Sequence, residues 1–485
     1  MEQATSEHQA APALASWADL FRGRQALITI TINVGIVLFA MDTFIVATIM
    51  PAVVSDIGGA PFYTWTVMLY MVGSIVGAAS SGPMRGVVGR RNGYIMAGVI
   101  FVVGLAGASV APTMLVLALW RLAQGLGGGM IMSMTYGLIS DKDLFAPELR
   151  TRALAAISTS WGMATVIGPA VGAGFGEWLS WRAAFGGLVP LGLLFVLVSW
   201  RLIANVPGHG SMQGFPFGRL GLLAASVISI GISQQAHGTA LQFGLFALAF
   251  PLFALAIRLD RDAESRMMPS RPFMPTGVVG ACYLTVMLQT VAFTAINLFA
   301  TLHLQVIHGL DPISAGYIYA IFSFCWTGGA LLVAGWRGTR IWIAIWGGIA
   351  LIVAGIVGVA TFAVPGPVWA IGASMGLIGI GIGATNNHFL TLTLARAVHG
   401  EESITAVSYQ TVRMLGIAFG SAAAGLVANL SGLGVGVNPQ SVARAVTWVH
   451  NSDIVVALLM SVMAIPFFIH ARREAPHGQA EVSGH

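Results

Sequence analysis

Apolar runs long enough to cross a bilayer recur along the whole sequence, and this constrains the fold more than any other feature. A spanning helix needs about 20 apolar residues. Fourteen candidate runs lie near 27–50, 63–82, 93–111, 114–138, 153–175, 184–204, 219–236, 240–257, 278–305, 313–335, 340–362, 368–395, 404–428 and 453–470. Charged residues make up only 8% of the 485, against roughly 25% in a soluble domain, and hydrophobic residues make up 56%. That composition excludes disorder and leaves a soluble fold without polar cover. In hydrocarbon every backbone polar group must find an internal partner, so the expected class is an all-α polytopic membrane protein.

The few charges set the expected topology. With the N-terminus placed in the cytoplasm, 19 of the 23 basic residues fall in cytoplasmic segments. Only Arg182 and Arg444 fall outside, while Arg121 and Arg413 lie within spans. A miscount would scramble this alternation midway, so the positive-inside rule supports fourteen spans with both termini cytoplasmic in the cell inner (plasma) membrane. The weakest division is between 219 and 257, where His237 and Gly238 alone mark a turn. The first residues carry acidic groups and read as neither a signal nor a transit peptide. Cys282 and Cys325 sit inside apolar runs and imply no disulfide framework.

The expected organisation is a cytoplasmic tail (1–26), a six-helix bundle (27–204), a linker with two additional spans (205–277), a second six-helix bundle (278–471) and a second cytoplasmic tail (472–485). Segment 205–218 is rich in Gly and Pro and reads as a flexible linker. About 429–452 reads as an external loop. Two blocks of six suggest paired repeats with a site between them, although no residue-level repeat is visible.

Four patterns carry a family resemblance. The first span ends LFAMDTFIVATIMP, with Asp42, Thr43 and Pro51. The next loop reads GPMRGVVGRR, with Gly82, Gly89, Arg90 and Arg91. The fourth span reads RLAQGLGGG, with Arg121, Gln124 and Gly125. The fifth reads GMATVIGPAVGAGF, with Gly168, Pro169 and Gly172. In order and placement this set resembles the major facilitator superfamily, and within it the fourteen-span drug:proton antiporters. The resemblance implies a major facilitator fold with two extra central helices, and export of hydrophobic or amphipathic compounds in exchange for protons. It also implies that the 82–91 loop latches the halves through charge pairs and that Gly168-Pro169 shapes a moving span. Two departures stand out. Gly86 occupies the position of the loop's usual Asp, with Val87 after it and Arg85 one residue early, so a weak latch is expected. Leu188 stands where the family usually has Asn before Pro190.

Asp42 is the only carboxylate expected inside a span. An ionisable group in hydrocarbon is costly and functional by default. It lies about eight residues below the outer edge of its span and Arg121 about seven, so at about 1.5 Å per residue both sit roughly 10–12 Å deep. They are expected to pair, either as a proton-coupling site or as a static pair that fixes packing. Arg413 has no carboxylate at its depth; it is expected to meet an anionic substrate group, backbone carbonyls, or Asn387 or His388. Asn387 and His388 serve either as helix glue or as cavity lining with a second titrating group. Tyr70, Gln124, Trp161, Gln289 and Asn297 complete the expected cavity lining. His303 and His308, near the outer end of the ninth span, are expected to face water.

No GxxxxGK[ST] loop, metal-ligand spacing or catalytic constellation stands out, so the chain reads as neither an ATPase nor an enzyme, with no metal and no cofactor. The dispersed arginines do not form a nucleic-acid face. The partners expected are small substrates, protons and lipid; relatives of this kind in some cases use a periplasmic adaptor protein. An exporter of one metabolite, lipid or siderophore would share every motif. A transport-inactive sensor is the remote alternative.

Overall fold

A computed structural model describes residues 16–58, 63–208, 210, 212–236, 238–433 and 438–473. Among these the chain is helical, with one short helix, α1 (Trp17–Leu20), ahead of fourteen long ones. The first long set is α2 (Gly23–Ile57), α3 (Tyr63–Val88), α4 (Arg90–Ser109), α5 (Met114–Ser140), α6 (Pro147–Trp178) and α7 (Trp181–Leu202). The pair α8 (Phe217–Gln235) and α9 (Thr239–Arg261) follows. The second set is α10 (Val278–Val306), α11 (Pro312–Val333), α12 (Thr339–Phe362), α13 (Val368–Leu394), α14 (Glu402–Leu430) and α15 (Pro439–Arg473). By length and composition, 13 helices can cross a membrane. The remaining long helix, α6, occupies the fifth expected span and packs along α2.

The two sets pair their helices in the same order. In the first, α3 packs on α5, α2 on α6, and α4 on α5 and α7. In the second, α11 packs on α13, α10 on α14, and α12 on α13 and α15. The repeat that the sequence hides is therefore present in the packing. Glycines make the tightest crossings, as small residues do where no hydrophobic drive separates helix from lipid. A Cβ on Gly73 or Gly77 of α3 would collide with the α5 backbone, and one on Gly125 or Gly129 of α5 with the α3 backbone. Gly379 and Gly383 of α13 lie equally close to the α11 backbone. Outward faces carry exposed Leu115, Leu119, Leu197, Leu458 and Leu459, as lipid contact requires.

Two expectations about connections are corrected. The expected loop 429–452 is largely helix, because α15 begins at Pro439. Asn438 caps it: Ser441 N–H donates to Asn438 Oδ1 (2.9 Å) and Asn438 N–H donates to Ser441 Oγ (3.0 Å). Proline at the first helical position fits that start. The Gly/Pro-rich linker is docked on the α3–α4 turn, with Arg90 N–H donating to Val206 O (3.0 Å) and Gly210 N–H to Gly86 O (2.9 Å). Gly89 holds a φ of 85° there, with Val206 O where a side chain would begin. The doubtful region 219–257 forms two helices, α8 and α9; His237 lies outside the described residues.

Candidate functional site

The site is built where α2, α3 and α5 meet. Asp42 is fully buried on α2, and Arg121 on α5 is 3% exposed. Arg121 Nη1 donates to Asp42 Oδ2 at 2.7 Å and to Gln124 Oε1 at 3.1 Å. Gln124 Nε2 donates to Asp42 Oδ1 at 3.3 Å, so both carboxylate oxygens are engaged. The guanidinium lies over the Tyr70 ring, 3.9 Å from its centroid. A cation on an aromatic face gains electrostatically, more so away from water. Thr43 Oγ and the Tyr70 hydroxyl lie 3.4 Å apart. Trp161 of α6 joins from the side, edge-on to Phe39 (5.9 Å) and Phe44 (6.4 Å). Four of the residues singled out in the sequence thus touch one another. Arg121 Nε has no partner, leaving the guanidinium a free donor within the site.

The other expected lining residues are dispersed. Gln289 on α10 donates to Thr385 Oγ1 (2.9 Å) and Asn297 accepts from the Tyr319 hydroxyl (3.1 Å). His388 uses Nε2 on Val333 O (3.1 Å), and Asn387 Nδ2 is buried without a partner. Arg413 meets neither of them. It donates to the Tyr136 hydroxyl and to Gln410 Oε1, both at 3.3 Å, and lies 5.5 Å from the centroid of Trp326. Its partner Tyr136 is on α5, so Arg413 bridges the two helix sets. Gly168 packs its backbone against Phe44, whose Cβ lies 2.6 Å from where a methyl would sit. Gly172 is buried on the same helix, which also contains Pro169.

The charge pairs of the 82–91 loop stay within the first helix set, and its contact across to the second set is a hydrogen bond to a neutral side chain. Arg85 Nη2 pairs with Asp141 at 3.1 Å, and Arg90 Nη1 pairs with the same oxygen at 2.7 Å. Arg85 Nη1 also donates to Ser403 Oγ on α14 at 2.6 Å. The acid missing at Gly86 is thus supplied by Asp141, at the end of α5. Nearby, Ser133 Oγ donates to Val407 O (2.6 Å), and Thr327 Oγ1 of α11 donates to Ser158 O of α6 (3.0 Å). These ties join the two sets at the arginine-rich end. Gly82 meets Val407 and Ile404 in ordinary contact, and Arg91 is half-buried on the first turn of α4.

Two further expectations fail. Asp453 of α15 is a second in-span carboxylate, 5% exposed: the expected span began on it, but α15 starts at Pro439 and carries it well inside the helix. His303 does not face water; it is fully buried against α15, while His308 is half-buried.

Residues 32–421 match the family model for the Major Facilitator Superfamily. The chain belongs to that superfamily. It is therefore a multi-pass membrane transporter and not an enzyme. A probable multidrug-efflux transporter of Mycobacterium tuberculosis is 30% identical to it over 85% of this chain and 90% of that protein. Multidrug resistance protein 3 of Bacillus subtilis is 27% identical over 59% of this chain and 56% of its own length. Among solved structures, the human organic anion transporter MFSD10 superposes with a TM-score of 0.68 at 13% identity, over 93% of this chain and 100% of that one. At that identity the likeness shows the shared fold alone.

Proposed function

We propose that this transporter exports hydrophobic or amphipathic compounds in exchange for protons, with Asp42 as the proton-carrying group. The observation that carries the reading is the fully buried Asp42 carboxylate, bonded to a cation that has other places to go. When Asp42 takes a proton, the Coulomb attraction to Arg121 is lost. Arg121 keeps Gln124 Oε1 and the Tyr70 face, both already in contact, so the unpaired cation retains polar partners while its counter-ion is lost. The proton thus changes how α2 is tied to α5. Burial makes that change large, because an ion pair in a low dielectric is worth far more than one in water.

Export of varied compounds is supported by the names of the relatives and by the Met and aromatic side chains near the pair, including Tyr70, Met71 and Trp161. Binding would lie between the helix sets near midplane, with the two sets rocking around it. The ties at the arginine-rich end hold the described conformation closed there. The topology proposed is both termini in the cytoplasm and that end facing inward, in a plasma membrane.

The test is efflux of a mixed compound panel from proteoliposomes under an imposed pH gradient. The intact transporter moves substrate with the gradient, while Asp42→Asn lowers gradient-driven transport by about tenfold or more and still binds substrate. Full gradient-driven transport in Asp42→Asn would end the proposal. Transport confined to one compound class would replace the multidrug reading with a dedicated exporter.

A further inference from the structure

A second set of buried ionisable groups lies in the other half of the molecule, away from the Asp42 site. His303 on α10 and His450 on α15 are both fully buried, with ring centroids 6.1 Å apart and planes 80° from each other. His303 Nδ1 lies 2.8 Å from Phe299 O. A carbonyl can only accept, so Nδ1 carries the hydrogen and Nε2 of the neutral ring is a bare lone pair. His450 Nδ1 lies 3.1 Å from Asp453 Oδ2. With that carboxylate ionised, Nδ1 again donates and Nε2 is again bare. Both Nε2 atoms are buried without a partner. Buried polar atoms are nearly always satisfied, so two orphaned acceptors of the same kind on neighbouring rings call for an explanation.

One added proton supplies it. Placed on either Nε2, it turns that atom into a donor while the neighbouring ring, its centroid 6.1 Å away, keeps a bare acceptor, and an ionised Asp453 balances the charge. We infer that His303, His450 and Asp453 form a second proton-binding site, in which one proton is shared between the two imidazoles. The site goes beyond the coupling role proposed for Asp42 and does not depend on it.

The surroundings leave few competing charges. Helices α10, α12 and α14 pack against α15. Besides His303, α10 leads into His308, half-buried, with its ring centroid 6.3 Å from that of His303 and its Nε2 on Ala363 O at the end of α12 (2.9 Å). This gives the buried pair a route to the surface. The only ionisable side chain within α12 is Arg340, at the opposite end, and those of α14 (Glu402, Tyr409, Arg413) lie in its other half. Arg444, exposed on α15, lies nearly two turns before His450, and Asp311 follows His308 in the α10–α11 connection.

Histidine C2-hydrogen exchange, followed by mass spectrometry from about pH 5 to about pH 9, reads each ring separately and needs no transport. In the full-length protein His303 and His450 should share one inflection. Asp453→Asn should move it by about one pH unit or more, the scale of a carboxylate within 4–6 Å, while exposed His399 stays unmoved. Independent inflections, no inflection in either ring, or no movement in Asp453→Asn would overturn the site. If Asp453→Asn does not give monodisperse protein, His303→Gln serves instead: it must move the His450 inflection, and an unmoved His450 refutes the shared proton.

Discussion

At the residue scale, the glycines separate into those the packing requires and those it does not. A methyl on Gly129 would run into the carbonyl of Ser74, and backbone cannot yield as a flexible side chain can. Gly129→Ala should therefore destabilise the α3–α5 crossing by about 1–3 kcal/mol, seen as a lowered Tm in detergent. Gly86→Ala is the control: nothing lies within 4 Å of its added carbon, and its Tm should stay at the wild-type value. Much of this scale was legible. Asp42 and Arg121 could be paired from depth alone, because two helices entering from the same edge bring equal counts to equal depth. The partners of Arg413, Gln289 and Asn297 could not be read, because they depend on helix rotation, which the near-uniform apolar character of these spans does not reveal. His450 lies in a stretch expected to be a loop, and Asp453 stands on the very first residue of the expected last span, where it reads as an edge charge. The Asn-Pro-x-Ser cap at 438–441 was the signal that could have placed them in a helix.

At the element scale, segment 262–277 is fastened to the start of α14 through Glu401. The Glu401 carboxylate accepts from Ser270 N–H and its hydroxyl, both at 2.9 Å, and pairs with Arg266. Burial raises its pKa, but the bonds from Ser270 and Arg266 outweigh it and hold the carboxyl below the ordinary value of 4.5. The bonded form is the charged one, so its contribution is complete above 4.5 and is lost as the pH falls below that value. Glu401→Gln should speed amide exchange in 262–277 by about twofold to fivefold at neutral pH, given the partial exposure of its partner Arg266. In acid below that range, wild type and variant should converge. Unchanged exchange at neutral pH would mean the segment is held by its apolar contacts alone.

At the scale of the whole molecule, the halves are held together at one end by a handful of polar ties. Arg85 carries one of them, to Ser403 across the divide, and is itself steadied by Asp141 within its own half. Arg85→Ala removes a charged hydrogen bond between the halves, so the ratio of closed to open at that end should fall about tenfold. Spin-label distances between the arginine-rich ends of α3 and α14 would show it as a longer component. A distribution matching wild type would place the closure in the Ser133 and Thr327 bonds instead.

The added pair α8–α9 gives the whole molecule a sidedness that a plain twelve-helix bundle lacks. Helix α8 packs on both α3 and α14, one from each half, and covers the seam between them. On the other seam α6 and α11 meet directly and present Met163, Val166, Ile167 and Phe324 to the outside. A compound dissolved in the bilayer therefore meets an added helix pair along one flank and two directly packed, greasy helices along the other. Lateral entry from lipid should therefore be asymmetric: bulky substitutions at Met163 or Phe324 should slow the uptake of lipid-soluble substrates more than that of water-soluble ones.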